Sequence, residues 1–371
     1  MTKTEAILSK LLNADNDGKK ISLFQSTHPA SSSANIQEDI IRFKNGLQRV
    51  RSDNKYDESI DQTLNSLDNL LDDTEFWKHR TVGLAIFGDE KGYEAVSLPH
   101  DIDELSYVDN QFLVTPLALM NSLGSDFYVL DINHTRPRLV EVSSVGCQEV
   151  KLESMPSSFE EMTANIEYGK DLQHQSGGSD RFHGHTDEAA LQDDAMRYYR
   201  KIVEAVENHL EGHDDPVVLV GTENRIGEIR KLLTYHRVLE DYIEGNGEHM
   251  DETGLCNAGR PLVEKYNQTK RQTMVNQFAE IIPDRKLIGI DEIHQAAQEG
   301  RIDTLFVPSY RITSDTVREG FDESIVVELS DDNKIEPIEA VVRDVLSSGG
   351  RVQAVALDAF EDDQLRASCR Y

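Results

Sequence analysis

The residues best suited to chemistry crowd into one short stretch. Residues 175–186 read Gln-Ser-Gly-Gly-Ser-Asp-Arg-Phe-His-Gly-His-Thr, with His174 just ahead of them. His183 and His185 stand two positions apart, and with His174 they offer three imidazoles, the ligand number of a catalytic zinc. A glycine-rich loop is a poor frame for such a site, because metal ligands need rigid elements and outer hydrogen bonds to aim them. The same residues suit RNA better. Gly177 and Gly178 let the backbone approach closely and adopt positive φ. Arg181 can pair with phosphate, and Phe182, His183 and His185 can stack on bases. Elsewhere, Asp131 sits in the apolar run 127–132 as a single carboxylate. One carboxylate is not a two-metal site, and its expected role is structural. The chain has no Walker A motif, no Gly-x-Gly-x-x-Gly after a strand and no Gly-x-Ser-x-Gly elbow. Nucleotide hydrolysis and serine esterase chemistry therefore have no support.

These residues need elements to hold them. Leu191, Ala195, Tyr198, Ile202, Val206 and Leu210 recur at helical spacing, so a long helix follows the glycine stretch. Thr186 or Asp187 would cap its exposed first-turn amides. Upstream, 127–132 and 138–142 flank a turn with Pro137 and read as a hairpin. Downstream, 217–220 reads as a buried strand feeding a helix marked by Ile226, Ile229, Leu232 and Leu233.

The first hundred residues predict a short helix over 6–12, a strand over 21–24 and a polar loop over 25–33. Ile36, Ile40, Phe43, Leu47 and Val50 mark one helix face; Ile60, Leu64, Leu67 and Leu71 mark a second. Strands follow over 81–87 and 93–98. Beyond Gly247 the composition shifts to a polar linker, then to a helical stretch reaching Ile282 and a helix over 290–297 with Gly300 just past its end. A strand over 304–307 is expected to stop at Pro308, and the chain closes with a helix over 338–346 and a last strand over 352–357. The pattern is α/β (α+β), in three domains over 1–115, 116–247 and 248–371.

Composition sets limits. The 371 residues carry 38 Lys and Arg against 68 Asp and Glu, a formal net charge of −30. Such a field repels nucleic acid at long range. Basic residues do cluster locally: Arg42, Lys44, Arg49, Arg51 and Lys55; Arg225, Arg230, Lys231 and Arg237; Lys265, Lys270 and Arg271. Cys147, Cys256 and Cys369 lie far apart and suggest no disulfide framework, which fits a reducing cytoplasm. No apolar run approaches the roughly 20 residues needed to span a bilayer. The first residues show no secretory signal.

The order of features around the glycine stretch resembles that of the archaeo-eukaryotic peptide release factors and Pelota. Those proteins carry Gly-Gly-Gln in a loop before a long helix, with an Arg-Phe pair a few residues on. Here Gly177-Gly178 precede Arg181-Phe182, and Tyr198-Tyr199-Arg200-Lys201-Ile202-Val203 follow on the helix. Ser179 stands where the glutamine would be. Residues 299–307, Glu-Gly-Arg-Ile-Asp-Thr-Leu-Phe-Val, resemble the family's C-terminal domain. The resemblance implies an RNase H-like middle domain and a third domain like the kink-turn-binding ribosomal proteins. It also implies a ribosomal partner: 16S and 23S rRNA at the aminoacyl (A) site, ribosomal proteins beside it, and elongation factor Tu as the delivering GTPase.

On that reading Gly177, Gly178, Arg181, Phe182, His183 and His185 meet the peptidyl transferase centre. Thr27, His28, Ser31, Arg42 and Lys44 meet the decoding centre. Ser179 is shorter than glutamine and cannot place the water that cleaves the peptidyl ester. The expectation is therefore a non-catalytic factor with no cofactor, no metal and no membrane. The alternative is a peptidyl-tRNA hydrolase or metal-dependent nuclease built on the His-Gly-His loop.

Overall fold

The computed structural model describes residues 3–15, 17–29, 32–143, 146–164, 185–313, 324–327, 332–360, 362 and 364–371. The first segment holds α1 (Lys3–Leu12), β1 (Lys20–Ser26), α2 (Ser33–Ser52), α3 (Asp61–Asp68), α4 (Thr74–Lys78), β2 (Gly83–Asp89), β3 (Gly92–Leu98), β4 (Asp101–Ile102), β5 (Leu105–Asp109) and α5 (Thr115–Leu123). Four of the strands form an antiparallel sheet in the order β3-β2-β1-β5. β2 is apolar at every central position because both its faces are covered. Leu84 and Ile86 pack with Phe43, Leu47 and Trp77. Ala85 and Phe87 turn the other way, toward Phe24, Phe112 and the residues of α1 and α5. The period of two along the strand decides which core each side chain joins.

The middle segment holds β6 (Phe127–Asp131), β7 (Arg138–Ser143), β8 (Gly146–Val150), α6 (Phe159–Thr163), α7 (His185–Leu210), β9 (Val217–Gly221), α8 (Glu223–Leu232), β10 (Ile243–Glu244) and α9 (Glu252–Glu280). The sheet order is β10-β9-β6-β7-β8. β6, β9 and β10 run parallel, and β6, β7 and β8 form an antiparallel meander. This is the RNase H-like arrangement expected for this segment. Tyr198, Ile202, Val206 and Leu210 of α7 cover one face, against Tyr128, Leu130, Val217 and Leu219. Leu255, Cys256 and Val263 of α9 cover the other, against Phe127, Val129, Val218 and Val220. Helix α9 lies so close that a Cβ on Gly259 would stand 2.8 Å from the Phe127 ring.

The last segment holds β11 (Lys286–Ile288), α10 (Ile290–Gln298), β12 (Ile302–Thr313), β13 (Ser324–Val327), α11 (Asp332–Ser347), β14 (Arg351–Ala356) and β15 (Arg366–Cys369). Its sheet runs β11-β15-β12-β13-β4, with β14 paired to β12. Ile293, Ala296, Val341 and Val345 share a core with Leu305, Val307 and Ala354, while Phe278 packs with Phe306 and Val355. Gly300 takes φ +67° just past α10, as its place in the sequence requires.

By their contacts, the residues divide into two compact units, 126–266 and a second built from 1–125 together with 267–371. Within the second unit, β4 pairs in parallel with β13. Helix α9 begins in one unit and ends in the other.

Three expectations need correction, and a fourth is made more specific. β12 does not stop at Pro308; it continues through a register shift between Pro308 and Tyr310, the kind of irregularity where a strand tolerates a residue without N–H. The strand 352–357 is not the last, since β15 follows and pairs with both β11 and β12. The polar linker expected beyond Gly247 is held to the fold at its start: Gly247 is buried, and its carbonyl and that of Met250 accept from Arg138. Finally, Cys147 and Cys256 form a disulfide, with Cα atoms 6.4 Å apart across a separation of 109 residues. It ties the edge strand β8 to the start of α9. Distance along the chain carried no information about this pair, because α9 folds back across the sheet.

Candidate functional site

The end of β6 organises the middle unit. Asp131 and Arg138 are register partners in the β6–β7 hairpin, and both are buried. Arg138 Nη2 donates to Asp131 Oδ2 at 2.8 Å, and Asn133 Nδ2 donates to the same oxygen at 3.0 Å. The guanidinium also donates to the carbonyls of Gly247 (2.9 Å) and Met250 (3.1 Å). Gly247 sits directly over the carboxyl group, so close that a Cβ there would stand 2.4 Å from its atoms. Burial pushes the Asp131 carboxyl above its ordinary value, against the pull of Arg138. Arg138 and Asn133 both occupy Oδ2, while Oδ1 is buried without a hydrogen-bond partner among the described residues. The geometry fits the structural role expected for Asp131 and makes it a tie between the hairpin and the 247–250 segment.

The next residues join the hairpin to α6 and α7. Asn133 Oδ1 accepts from the Thr135 amide at 3.0 Å, closing the turn. Tyr198 of α7 donates its hydroxyl to the Asn133 carbonyl at 2.8 Å. The His134 ring stacks on Phe159 at 4.7 Å, and its Nε2 lies 3.1 Å from the Tyr199 hydroxyl. The Phe159 amide donates to the His134 carbonyl at 2.7 Å. The start of α6 is thereby held beside α7. Of the residues assigned to the peptidyl transferase centre, Gly177, Gly178, Arg181, Phe182 and His183 lie outside the described residues, as does His174. His185 is the first residue of α7.

Burial, then the nearby Arg225 charge, pushes the His134 imidazole below its ordinary value of 6.5. Burial likewise lowers His209, which stands in a ring cluster with Tyr128 and His213. A lowered imidazole contributes its full stability above the unfolded value, where both states are neutral. That contribution is lost as pH falls below 6.5 toward the folded value, because the unfolded chain takes up the proton first. The raised carboxyls of Asp39 and Asp131 act in the opposite direction. The His134 contribution is therefore read by comparison: between pH 7.5 and 5.5 the urea midpoint of His134→Phe, which keeps the stack, should fall less than that of the unaltered chain. Equal slopes would remove the imidazole from the account.

The N-terminal candidates are placed differently from one another. Thr27 is wholly buried, and its hydroxyl donates to the Thr81 carbonyl at 2.7 Å, so it shapes the loop from within. His28 follows on the loop, with Nδ1 2.8 Å from Asp39 Oδ1. Ser31 lies outside the described residues. Arg42 pairs with Glu38 and approaches Glu104 at 3.8 Å, and Lys44 is exposed on the same helix. Asp39 was missed on sequence, although a signal existed: it interrupts the apolar stripe Ile36, Phe43, Leu47 of α2.

The basic islands are largely neutralised within the fold. Arg49 pairs with Glu104 (3.0 Å), Arg51 with Asp68 (2.6 Å), and Lys55 with both Asp109 and Glu336. Lys231 pairs with Glu228, Arg237 with Asp214, and Lys265 with Asp241. Arg271 is buried and donates to Leu123 O at 2.8 Å. Among the described residues no helix is long and apolar enough to cross a membrane.

Residues 126–301 match the model of the bacterial archaeo-eukaryotic release factor family 3. No curated protein matches the chain. Among solved structures, an archaeal translation termination factor is 14% identical, over 100% of this chain and 97% of its own, with a TM-score of 0.26. A model of ribosome-bound archaeal Pelota with ABCE1 gives 11% identity over 100% and 94%, with a TM-score of 0.41. Dom34 from S. cerevisiae, described as a translation termination-like factor interacting with Hbs1, gives 12% over 100% and 91%, with a TM-score of 0.40. The matched segment contains all five strands of the middle sheet together with α7, α8 and α9, and over that segment the chain is similar to the bacterial archaeo-eukaryotic release factor family 3.

Proposed function

We propose that this protein is a ribosome hibernation factor that fills the aminoacyl site without cleaving the peptidyl-tRNA ester. The observation that carries the reading is the family match over 126–301, the segment in which the glycine stretch precedes α7 in sequence. Residues 1–115 would enter the decoding centre and contact 16S rRNA. Gly177, Gly178, Arg181, Phe182, His183 and His185 would reach 23S rRNA at the peptidyl transferase centre. Residues beyond 247 would meet elongation factor Tu. Balon, a bacterial hibernation factor, is the type of protein intended, and a stress response is the setting. Ser179 in place of the family's glutamine is the reason for assigning occupancy without hydrolysis.

Such a factor works in the cytoplasm, where the Cys147–Cys256 bond would be open to reduction. The net charge of −30 opposes approach to RNA, and the internally paired basic residues do little to offset it. Affinity then rests on shape, protein contacts and a few phosphate contacts, so its salt dependence is shallow.

The test is co-sedimentation with ribosomes whose aminoacyl site is free. Binding is expected, weakened about tenfold, roughly 1.4 kcal/mol, when Arg181, His183 and His185 are replaced together by Ala. Peptide release from peptidyl-tRNA should stay at the spontaneous rate. Absence of binding at any salt removes the proposal. Release well above the spontaneous rate, lost in His183→Ala, establishes the hydrolase alternative instead.

A further inference from the structure

We infer that His28 is an oriented, partly exposed imidazole that accepts a hydrogen bond from RNA ribose, and that Asp39 is its positioning residue. This inference rests on the ribosome-binding reading above. Asp39 is fully buried on the second turn of α2. A carboxylate in that position loses its water and needs protein donors in return. His28 supplies two of them: its backbone amide donates to Oδ2 at 2.9 Å, and its ring Nδ1 stands 2.8 Å from Oδ1. Both ends of the residue are thus fixed by one carboxylate.

The flanking contacts lock the same corner. Gln25 donates from Nε2 to the Asp39 carbonyl at 3.1 Å. Thr27 donates its amide to Val82 O at 2.9 Å and its hydroxyl to Thr81 O. The strand before His28 and the helix carrying Asp39 therefore hold the ring from two sides.

The consequence lies at the other ring nitrogen. In the tautomer that gives Nδ1–H to Asp39, the lone pair of the ring sits on Nε2. The His28 side chain is 20% exposed while that of Asp39 is wholly enclosed. No hydrogen bond from Nε2 to another described residue accompanies the Asp39 contact. In that tautomer the arrangement offers Nε2 as an acceptor on a partly exposed loop residue. The complementary group is a hydroxyl donor, and the 2′-hydroxyl of ribose provides it in RNA and not in DNA. Arg42 and Lys44, on the same helix, supply positive charge for the adjoining phosphates; Arg42 is shared with Glu38 and Glu104.

A simple structural tie would explain the Asp39 contact without any ligand, and the variants are chosen to separate the two. His28→Asn places an amide N–H near the Nδ1 position, keeping the bond to Asp39, and deletes Nε2. Asp39→Asn keeps the volume and exchanges a carboxylate for an amide, which releases the ring's tautomer. Each full-length variant is assayed for binding to isolated small ribosomal subunits, alongside urea unfolding and the ring ¹⁵N chemical shifts of His28. The expected result is that His28→Asn unfolds at the same urea concentration as the unaltered chain but binds at least fivefold more weakly. The unaltered chain should show Nδ1 protonated and Nε2 bare, and Asp39→Asn should lose that pattern and bind more weakly as well. If His28→Asn binds as tightly as the unaltered chain, or if Nε2 carries the proton, the inference fails while the ribosome-binding reading stands. If the unaltered chain does not bind at all, both fall together.

Discussion

Replacing Glu339 by Ala is expected to destabilise the unit built from 1–125 and 267–371 by about 3–5 kcal/mol, the usual cost of removing one partner from a buried ionic cluster. Helix α5 begins at Val114–Thr115 with no side-chain cap of its own. Glu339, buried on α11, supplies the cap from another element. Its carboxylate accepts from the Val114 amide at 3.0 Å, the Thr115 amide at 2.9 Å and the Thr115 hydroxyl at 2.6 Å. Negative charge is favoured at this helix end, where several amides lack partners. The same carboxylate takes the Arg343 Nε at 2.7 Å, and Arg343 also donates to the Phe112 carbonyl. Alanine leaves the amides and the guanidinium without their acceptor. Glu339→Gln keeps one acceptor oxygen and should lose roughly 1–3 kcal/mol. Urea unfolding of the full chain, followed at Trp77 in the first segment's core, reads both variants. A change below about 0.5 kcal/mol in the alanine variant, the range of ordinary surface substitutions, would sink this account of how α5 is held.

The second large effect is expected at Asp131. Asp131→Ala removes the carboxylate from a buried arginine and should destabilise the middle unit by about 3–5 kcal/mol. Replacing the pair together, Asp131→Leu with Arg138→Met, should recover part of that loss, because no buried charge is then left alone. Recovery stops short of complete because the carbonyls of Gly247 and Met250 lose their donor. Gly247→Ala gives an independent check, since its Cβ has no room above the carboxyl group. If millimolar magnesium raised the urea midpoint of the unaltered chain and not of Asp131→Ala, the carboxylate would be a metal ligand and the structural role would be withdrawn.

The parts of the fold that could be read in advance are those where local pattern and tertiary environment agree. The strands at 84–87, 127–130 and 217–220 are continuous apolar runs because both faces are buried. The helix through Tyr198 and Val206 shows its stripe because one side alone meets the sheet. Where the environment is unusual, pattern failed. Arg366-Ala367-Ser368-Cys369 does not look like a core strand, yet β15 is buried between β11 and β12. Arg366 is accommodated there by lying over the Phe360 ring and pairing with Asp362. Helix α5 has almost no polar residue from Thr115 to Met120, so no face stands out. The candidate site shows the same division. Asp131 and its hairpin were visible, but the Gly247 lid that closes over it lies more than a hundred residues away. His28 was visible as a loop residue, whereas its tie to Asp39 depends on where β1 meets α2.

The bond between Cys147 and Cys256 alters the covalent topology of the polypeptide. In the oxidised protein the chain is no longer a line. It is a closed ring bearing two tails, residues 1–146 and 257–371. The ring contains the glycine stretch 175–186, together with the long helix and strand that follow it. Cleavage by a protease inside the ring leaves a single covalent molecule, while cleavage in either tail sheds a fragment. Reduction erases that distinction, so the thiol state of two side chains determines whether a cut near the glycine stretch divides the protein or merely opens it.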